Sequence, residues 1–331
     1  MTQRRQFIQS AVACAAAAMA PAAFSQAAPW PSKPINYLVA FPAGGTTDIL
    51  ARVVSQKLGT ALGTTLVIEN KGGAGGSVGS EIAARAAADG YNLLGGTISS
   101  HAINVSLYPK LGYDPIKSFT PVYLYGTNPV VLVVAANSPY KTLKDLLTSA
   151  KANPGKLSGA SAGNGTSQHL AQELLAFKAG VKFTHVPYKG SAPAIQDVMS
   201  GQVDFMFDTT VVAGAHIQSG KLRALAVTSA KRLSDSLPDV PTVAESGWPG
   251  TQGFEVVSWQ ALFAPAGTPK PIVDKLHAEI LKIIQTPEMQ ERIKGLGMQP
   301  STLTPEQVQA FQKAEIDKWA QVIKAANIKL D

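Results

Sequence analysis

What most constrains this chain is a repeated succession of short apolar strand, glycine-rich turn and amphipathic helix. Ile35 to Ala40 reads as a strand, Pro42-Ala43-Gly44-Gly45 breaks it, and a helix begins near Thr46 with Ile49, Leu50, Val53, Val54 and Leu58 on one face. Thr65 to Glu69 repeats the strand and Gly72-Gly73-Ala74-Gly75-Gly76 repeats the turn. The next helix is expected from about Val78 to Ala88, stopping at Asp89-Gly90, and Tyr91 to Gly95 is a third strand. Units of this kind lay parallel strands under covering helices, so the chain is α/β with largely parallel sheet.

The rhythm lapses between Phe119 and Ala136, where Val122-Tyr123-Leu124-Tyr125 and Val130 to Val134 are extended with little helix between them. A second series follows. Strands are expected at Leu157–Ala160, Phe183–Pro187, Phe205–Phe207 and Leu222–Thr228, and helices at Ser167–Phe177, Ala192–Ser200 and Val212–Ser219. Val256 to Ala264 is again extended. The tail is helical, with Val273, Leu276, Ile280 and Ile284 spaced for one buried face and a capping box at Thr304-Pro305-Glu306-Gln307. Two α/β series joined by two extended stretches predict two lobes: residues 28–128 with 253–331, and residues 129–252. The chain crosses twice, near 128–135 and 250–257, and a cleft lies between the lobes.

Residues 1–27 form a targeting segment. Arg4 and Arg5 precede an apolar run from Ala11 to Ala20, and Ser25-Gln26-Ala27 offers a small-residue cleavage site. The run is much shorter than the ~20 residues a membrane span needs. Arg4-Arg5-Gln6-Phe7-Ile8 leaves both the Sec and the twin-arginine route open. The single cysteine, Cys14, lies in this segment, so disulfides, thiolate metal sites and thiol catalysis are excluded from the remainder. The net charge of +7 is spread without a basic patch interleaved with aromatics, which argues against nucleic-acid binding.

Three loops carry chemistry. Phe41-Pro42-Ala43-Gly44-Gly45-Thr46-Thr47-Asp48 joins a strand to a helix start, where glycine N–H groups and the helix dipole favour an anion. Thr46 and Asp48 also serve as helix caps, and a carboxylate would be repelled by Asp48, so anion contact falls to N–H groups near Gly44 and Gly45 and to threonine hydroxyls. Ser161-Ala162-Gly163-Asn164-Gly165-Thr166-Ser167-Gln168-His169 does the same in the second series, or is an ordinary capped turn. Gly75-Gly76-Ser77-Val78-Gly79 has the spacing of a serine-hydrolase elbow, but Ser77 comes too early in the chain, and the late His277 lies mid-helix. A secreted serine esterase using Ser77 is the alternative reading. The dinucleotide echo at Gly73-Ala74-Gly75 lacks the acidic residue on the next strand. Five separated histidines show no metal-ligand spacing, although His101 and His169 stand beside candidate loops. Asp208 ends a strand, where α/β sheets display functional groups, and equally suits a helix cap.

These motifs occur in order: Val39 to Asp48, Glu69 to Gly76, Asp89-Gly90-Tyr91, Ser161 to Leu170, Val186-Pro187-Tyr188-Lys189-Gly190 and Ala264 to Pro269. In combination they resemble the solute receptors of tripartite tricarboxylate transporters, the Bordetella uptake gene family, over essentially all of the chain after the targeting segment. The resemblance implies a periplasmic, two-lobed, flytrap-like binding protein of type II. It implies no catalytic residues, metal or cofactor, and a small carboxylate handed to a two-component membrane permease by a monomeric receptor. It places ligand contacts at Phe41, Ala43, Gly44, Gly45, Thr46 and Asp48, with Ser161, Gly165, Thr166 and Ser167 opposite. Thr97, Ser99 and His101 form a further variable loop, and Asp208 stands ready to meet a ligand donor. Waters complete the carboxylate shell in such receptors. The two principal loops hold no Arg or Lys, so dicarboxylate, tricarboxylate, amino acid and aromatic acid all stay open.

Overall fold

A computed structural model describes residues 29–330; the targeting segment and Cys14 lie outside the described residues. The first series gives β1 (Ile35–Val39), α1 (Thr46–Leu62), β2 (Leu66–Asn70), α2 (Ser77–Ala84) and β3 (Asn92–Thr97). Strands β2 and β3 flank β1 in parallel. Ile35, Tyr37 and Val39 of β1 are fully buried, as are Leu50, Val54 and Leu58 of α1, whose Ile49 and Val53 are only half-buried. Helix α2 ends at Ala84, short of the expected Ala88, because the N–H groups of Arg85 and Ala86 turn back to carbonyls three residues earlier.

A π-helical turn, Ser99–Ile103, leads into the short α3 (Asn104–Leu107). The two extended stretches expected between Phe119 and Ala136 are one 17-residue strand, β4 (Phe119–Ala135). Register shifts at Pro121/Tyr123 and Leu124/Gly126 absorb its irregularities. The second series then runs α4 (Leu143–Ala152), β5 (Ser158–Ser161), α5 (Ser167–Ala179), β6 (Thr184–Pro187), α6 (Ser191–Ser200), β7 (Phe205–Thr209), α7 (Thr210–Gln218) and β8 (Leu222–Val227). Strand β9 (Val257–Pro265) returns the chain to the first series, followed by α8 (Lys270–Ile284), α9 (Pro287–Gly295), the two-residue β10 (Gln299–Pro300) and α10 (Pro305–Ala325). The capping box of α10 is present as expected, with Thr304 and Gln307 exchanging bonds.

The result is a two-lobed α/β fold. Parallel strands β2-β1-β3 build one lobe and β6-β5-β7 the other. The crossing strands run antiparallel to them. The first half of β4 pairs with β9, which pairs with β3; the second half lies between β7 and β8. At the crossing, the fully buried Thr228 bonds both connections. Its hydroxyl accepts from Val130 N–H at 3.0 Å and lies 2.8 Å from Val130 O and 2.5 Å from Val256 O.

Candidate functional site

The two lobes meet face to face around a polar cavity. Its walls come from the first turns of four helices. Gly45, Thr46 and Thr47 open α1, Thr166 to Gln168 open α5, Gly190 and Ser191 open α6, and Thr209 precedes α7. Thr97 and Ser99 follow β3, and Ser258 and Gln260 lie on β9. Three of these helices, α1, α6 and α7, have no side chain capping their first turn. Free N–H groups and helix dipoles therefore converge on one space, and no lining residue carries a formal charge.

The polar side chains are partly spoken for. Thr47 Oγ1 donates to Gln260 Oε1 at 2.8 Å, and Gln260 Nε2 has no partner among the described residues. Ser167 Oγ donates to Gln168 Oε1 at 3.2 Å. Thr166 Oγ1 donates to Gly163 O at 2.7 Å and accepts from His169 N–H at 3.4 Å, so it caps α5. Bonds cross between the lobes at this cavity, Thr46 Oγ1 to Thr209 Oγ1 at 2.6 Å and Ser167 N–H to Ser99 Oγ at 3.1 Å, and nearby Tyr108 Oη donates to Asn164 O at 3.1 Å.

Of the residues expected at the site, Phe41, Gly45, Thr46, Thr97, Ser99, Thr166 and Ser167 line this cavity, and the rest stand apart from it. Ala43 and Gly44 are exposed, and Gly44 N–H, expected to meet an anion, donates instead to Asp48 Oδ2 at 3.0 Å. Asp48 is bound by Arg52 and Asn70 within its own lobe, and despite partial burial these donors hold its carboxyl below the usual range. His101 is a core residue rather than a ligand contact: it is fully buried, its ring stacks on Phe263 at 4.1 Å, and burial pushes its pKa down to about 3. Ser161 Oγ meets His185 Nε2 at 2.7 Å, and Gly165 N–H donates to His169 Nδ1.

Asp208 lies one layer behind the wall. It is fully buried, and its Oδ1 accepts from Gln168 Nε2 at 3.1 Å, Ser191 Oγ at 3.0 Å and Thr209 N–H at 2.8 Å. Its Oδ2 has no partner among the described residues. Thr47 and Gln168 belong to the two loops singled out in the sequence, whereas Ser191, Thr209, Ser258 and Gln260 were missed. Ser191 had a signal, a small hydroxyl at the start of an expected helix; Ser258 and Gln260 sit in a stretch whose facing strand no pattern announces.

The glycine loop is a docking floor rather than a nucleophile elbow. Ser77 Oγ accepts from Asn104 Nδ2 at 2.9 Å, and His277 Nδ1 lies 2.8 Å from Val122 O. A Cβ on Gly75 would stand 2.9 Å from Asn164 O of the opposite lobe, and one on Gly76 would stand 2.6 Å from Phe41 Cζ. Both have positive φ, so only glycine suits the turn. A wider depression shares Phe41, Pro42, Ala162, Thr166 and Gly190 with the inner cavity and carries Lys189.

Two α/β lobes, crossed by shared strands and enclosing an uncharged polar cavity at helix N-termini, define a solute-binding receptor. The chain belongs to the TctC family, the tripartite tricarboxylate transporter family receptors, whose description it matches over residues 50–328. It is 37% identical to protein BugT of Bordetella pertussis over 302 residues, covering 91% of each chain. Among solved structures it is similar to Rpa4515 of R. palustris with adipate, with a TM-score of 0.87 and 36% identity over 91% of this chain and 99% of that one. It is also similar to MatC from Rhodopseudomonas palustris with bound malate, with a TM-score of 0.83 and 35% identity over 89% of this chain and 100% of that one.

Proposed function

We propose that this protein is exported to the periplasm, captures a small organic carboxylate between its lobes and hands it to a two-component permease of the tripartite tricarboxylate type. It acts as a monomer and without catalysis. Residues 28–128 with 253–331 form one lobe and 129–252 the other.

The observation that carries this reading is the convergence of three uncapped helix N-termini on a cavity with no charged wall residue. Each terminus favours an anion by about 0.3–1 kcal/mol when exposed and up to ~2 kcal/mol when partly buried. Gln260 Nε2 supplies a further donor. The adipate and malate held by the two R. palustris relatives support a carboxylate of that size. The basic, apolar and small-residue succession of residues 1–27 supports export.

A thermal-shift and calorimetric panel of malate, adipate, tricarboxylates, amino acids and aromatic acids tests this. A ligand at ~100 times its dissociation constant stabilises the fold by ~2.7 kcal/mol. A panel in which no carboxylate shifts the melting transition overturns the reading.

A further inference from the structure

We propose that Asp208 couples ligand capture to proton uptake: its side chain stands ionised behind the empty cavity and takes a proton as a carboxylate enters. The proposal rests on the carboxylate reading above and assigns a regulatory property to the same site.

The geometry is that of a buried acid without a counter-charge. Asp208 ends β7 with no exposure, directly behind three wall residues, Gln168, Ser191 and Thr209. All three bond one oxygen, Oδ1, while Oδ2 is buried and unpartnered. That arrangement lets Oδ1 keep all three donors while Oδ2 is left open to take up a proton. Each element around it presents neutral groups: Gln168 from α5, Ser191 from α6, Thr209 ahead of α7, and Val131 opposite it on β4. The next ionisable groups turn elsewhere. His169 stacks on His185 with centroids 4.2 Å apart, Asp197 of α6 accepts from Tyr188, and Asp48 across the cavity is held by Arg52.

Burial pushes the Asp208 carboxyl up to about 6, against the lowering effect of its three donors. The sign follows. Below that value the acid is neutral and does not oppose an incoming anion. Above it the acid is charged, and a second negative charge one layer away raises its pKa further, so binding draws in a proton and weakens as pH rises. Proton and ligand then favour one another equally, as linkage requires.

Calorimetry with malate and with adipate at ~pH 7, in two buffers of different ionisation enthalpy, counts the protons. The expected result is net uptake approaching one proton per probe bound, with affinity about tenfold weaker at pH 7.5 than at pH 6. Asp208→Asn keeps an oxygen for the three donors and removes the titration. It is expected to bind with no uptake and a flat pH profile, at least as tightly as wild type at pH 6. Saturable wild-type binding without proton uptake overturns the coupling and leaves the carboxylate reading standing. Uptake retained in Asp208→Asn assigns the proton to another group and also overturns it. If neither probe binds and the carboxylate panel is silent, both readings fall together. Should Asp208→Asn not fold, the wild-type proton count decides alone.

Discussion

Thr166 and Gln260 face the same cavity with opposite commitments. The Thr166 hydroxyl is spent on Gly163 O and on the first turn of α5, whereas Gln260 uses only its oxygen, for Thr47. Thr166→Val is therefore expected to lower stability by about 1 kcal/mol, as a lost cap does, with little change in ligand affinity. Gln260→Met keeps the volume and removes the free amide. It is expected to weaken carboxylate binding about tenfold or more, the scale of one hydrogen bond to a charged group. Melting curves and calorimetry on both variants check the contrast, and equal affinity in Gln260→Met removes it from the site. Thr166 was legible because small hydroxyls and glycines at a helix start are a local pattern. Gln260 was not, since only the pairing of β9 with β3 and β4 carries it to the cleft. His101 misled for the same reason: adjacency to a loop in sequence says nothing of a ring stacked inward on Phe263.

At the scale of elements, the sequence announced what local chemistry fixes. Helix α8 buries all four residues its spacing selected, and α10 starts on its capping box. The π-helical turn at Ser99–Ile103 went unseen because every residue in it is buried, so it has no polar face to create a period. Helix α4 had a signal, a Thr142–Asp145 capping box, that was overlooked. Where the elements join, Thr228 is the shared fastener of both connections, and a valine there would leave Val130 N–H buried without its hydroxyl partner. Thr228→Val is expected to cost about 1–3 kcal/mol by chemical denaturation. If ligand draws the lobes together, it is also expected to change that compaction in small-angle scattering, because the junction of the two connections is loosened. A variant as stable as wild type would show that these bonds contribute nothing net.

For the whole molecule, the two lobes and their cleft could be read from two βα series and two extended stretches, while the continuity of the first stretch could not. The residues between Tyr125 and Val130 separate two extended runs in the sequence, but bulges carry the strand through. Strand β4 is thus a common spine: its first half is a rung of one lobe's sheet and its second half a rung of the other's. Neither lobe can lose its sheet without unzipping a strand on which the other depends. Denaturation is accordingly expected to be one concerted transition, with fluorescence and far-ultraviolet dichroism coinciding. The amides of Val130 to Val134 should exchange with solvent only through global opening. Two separated transitions would show that the spine can part. Because the halves share that strand, an opening wide enough to admit a solute would have to be an elastic excursion of a single folding unit.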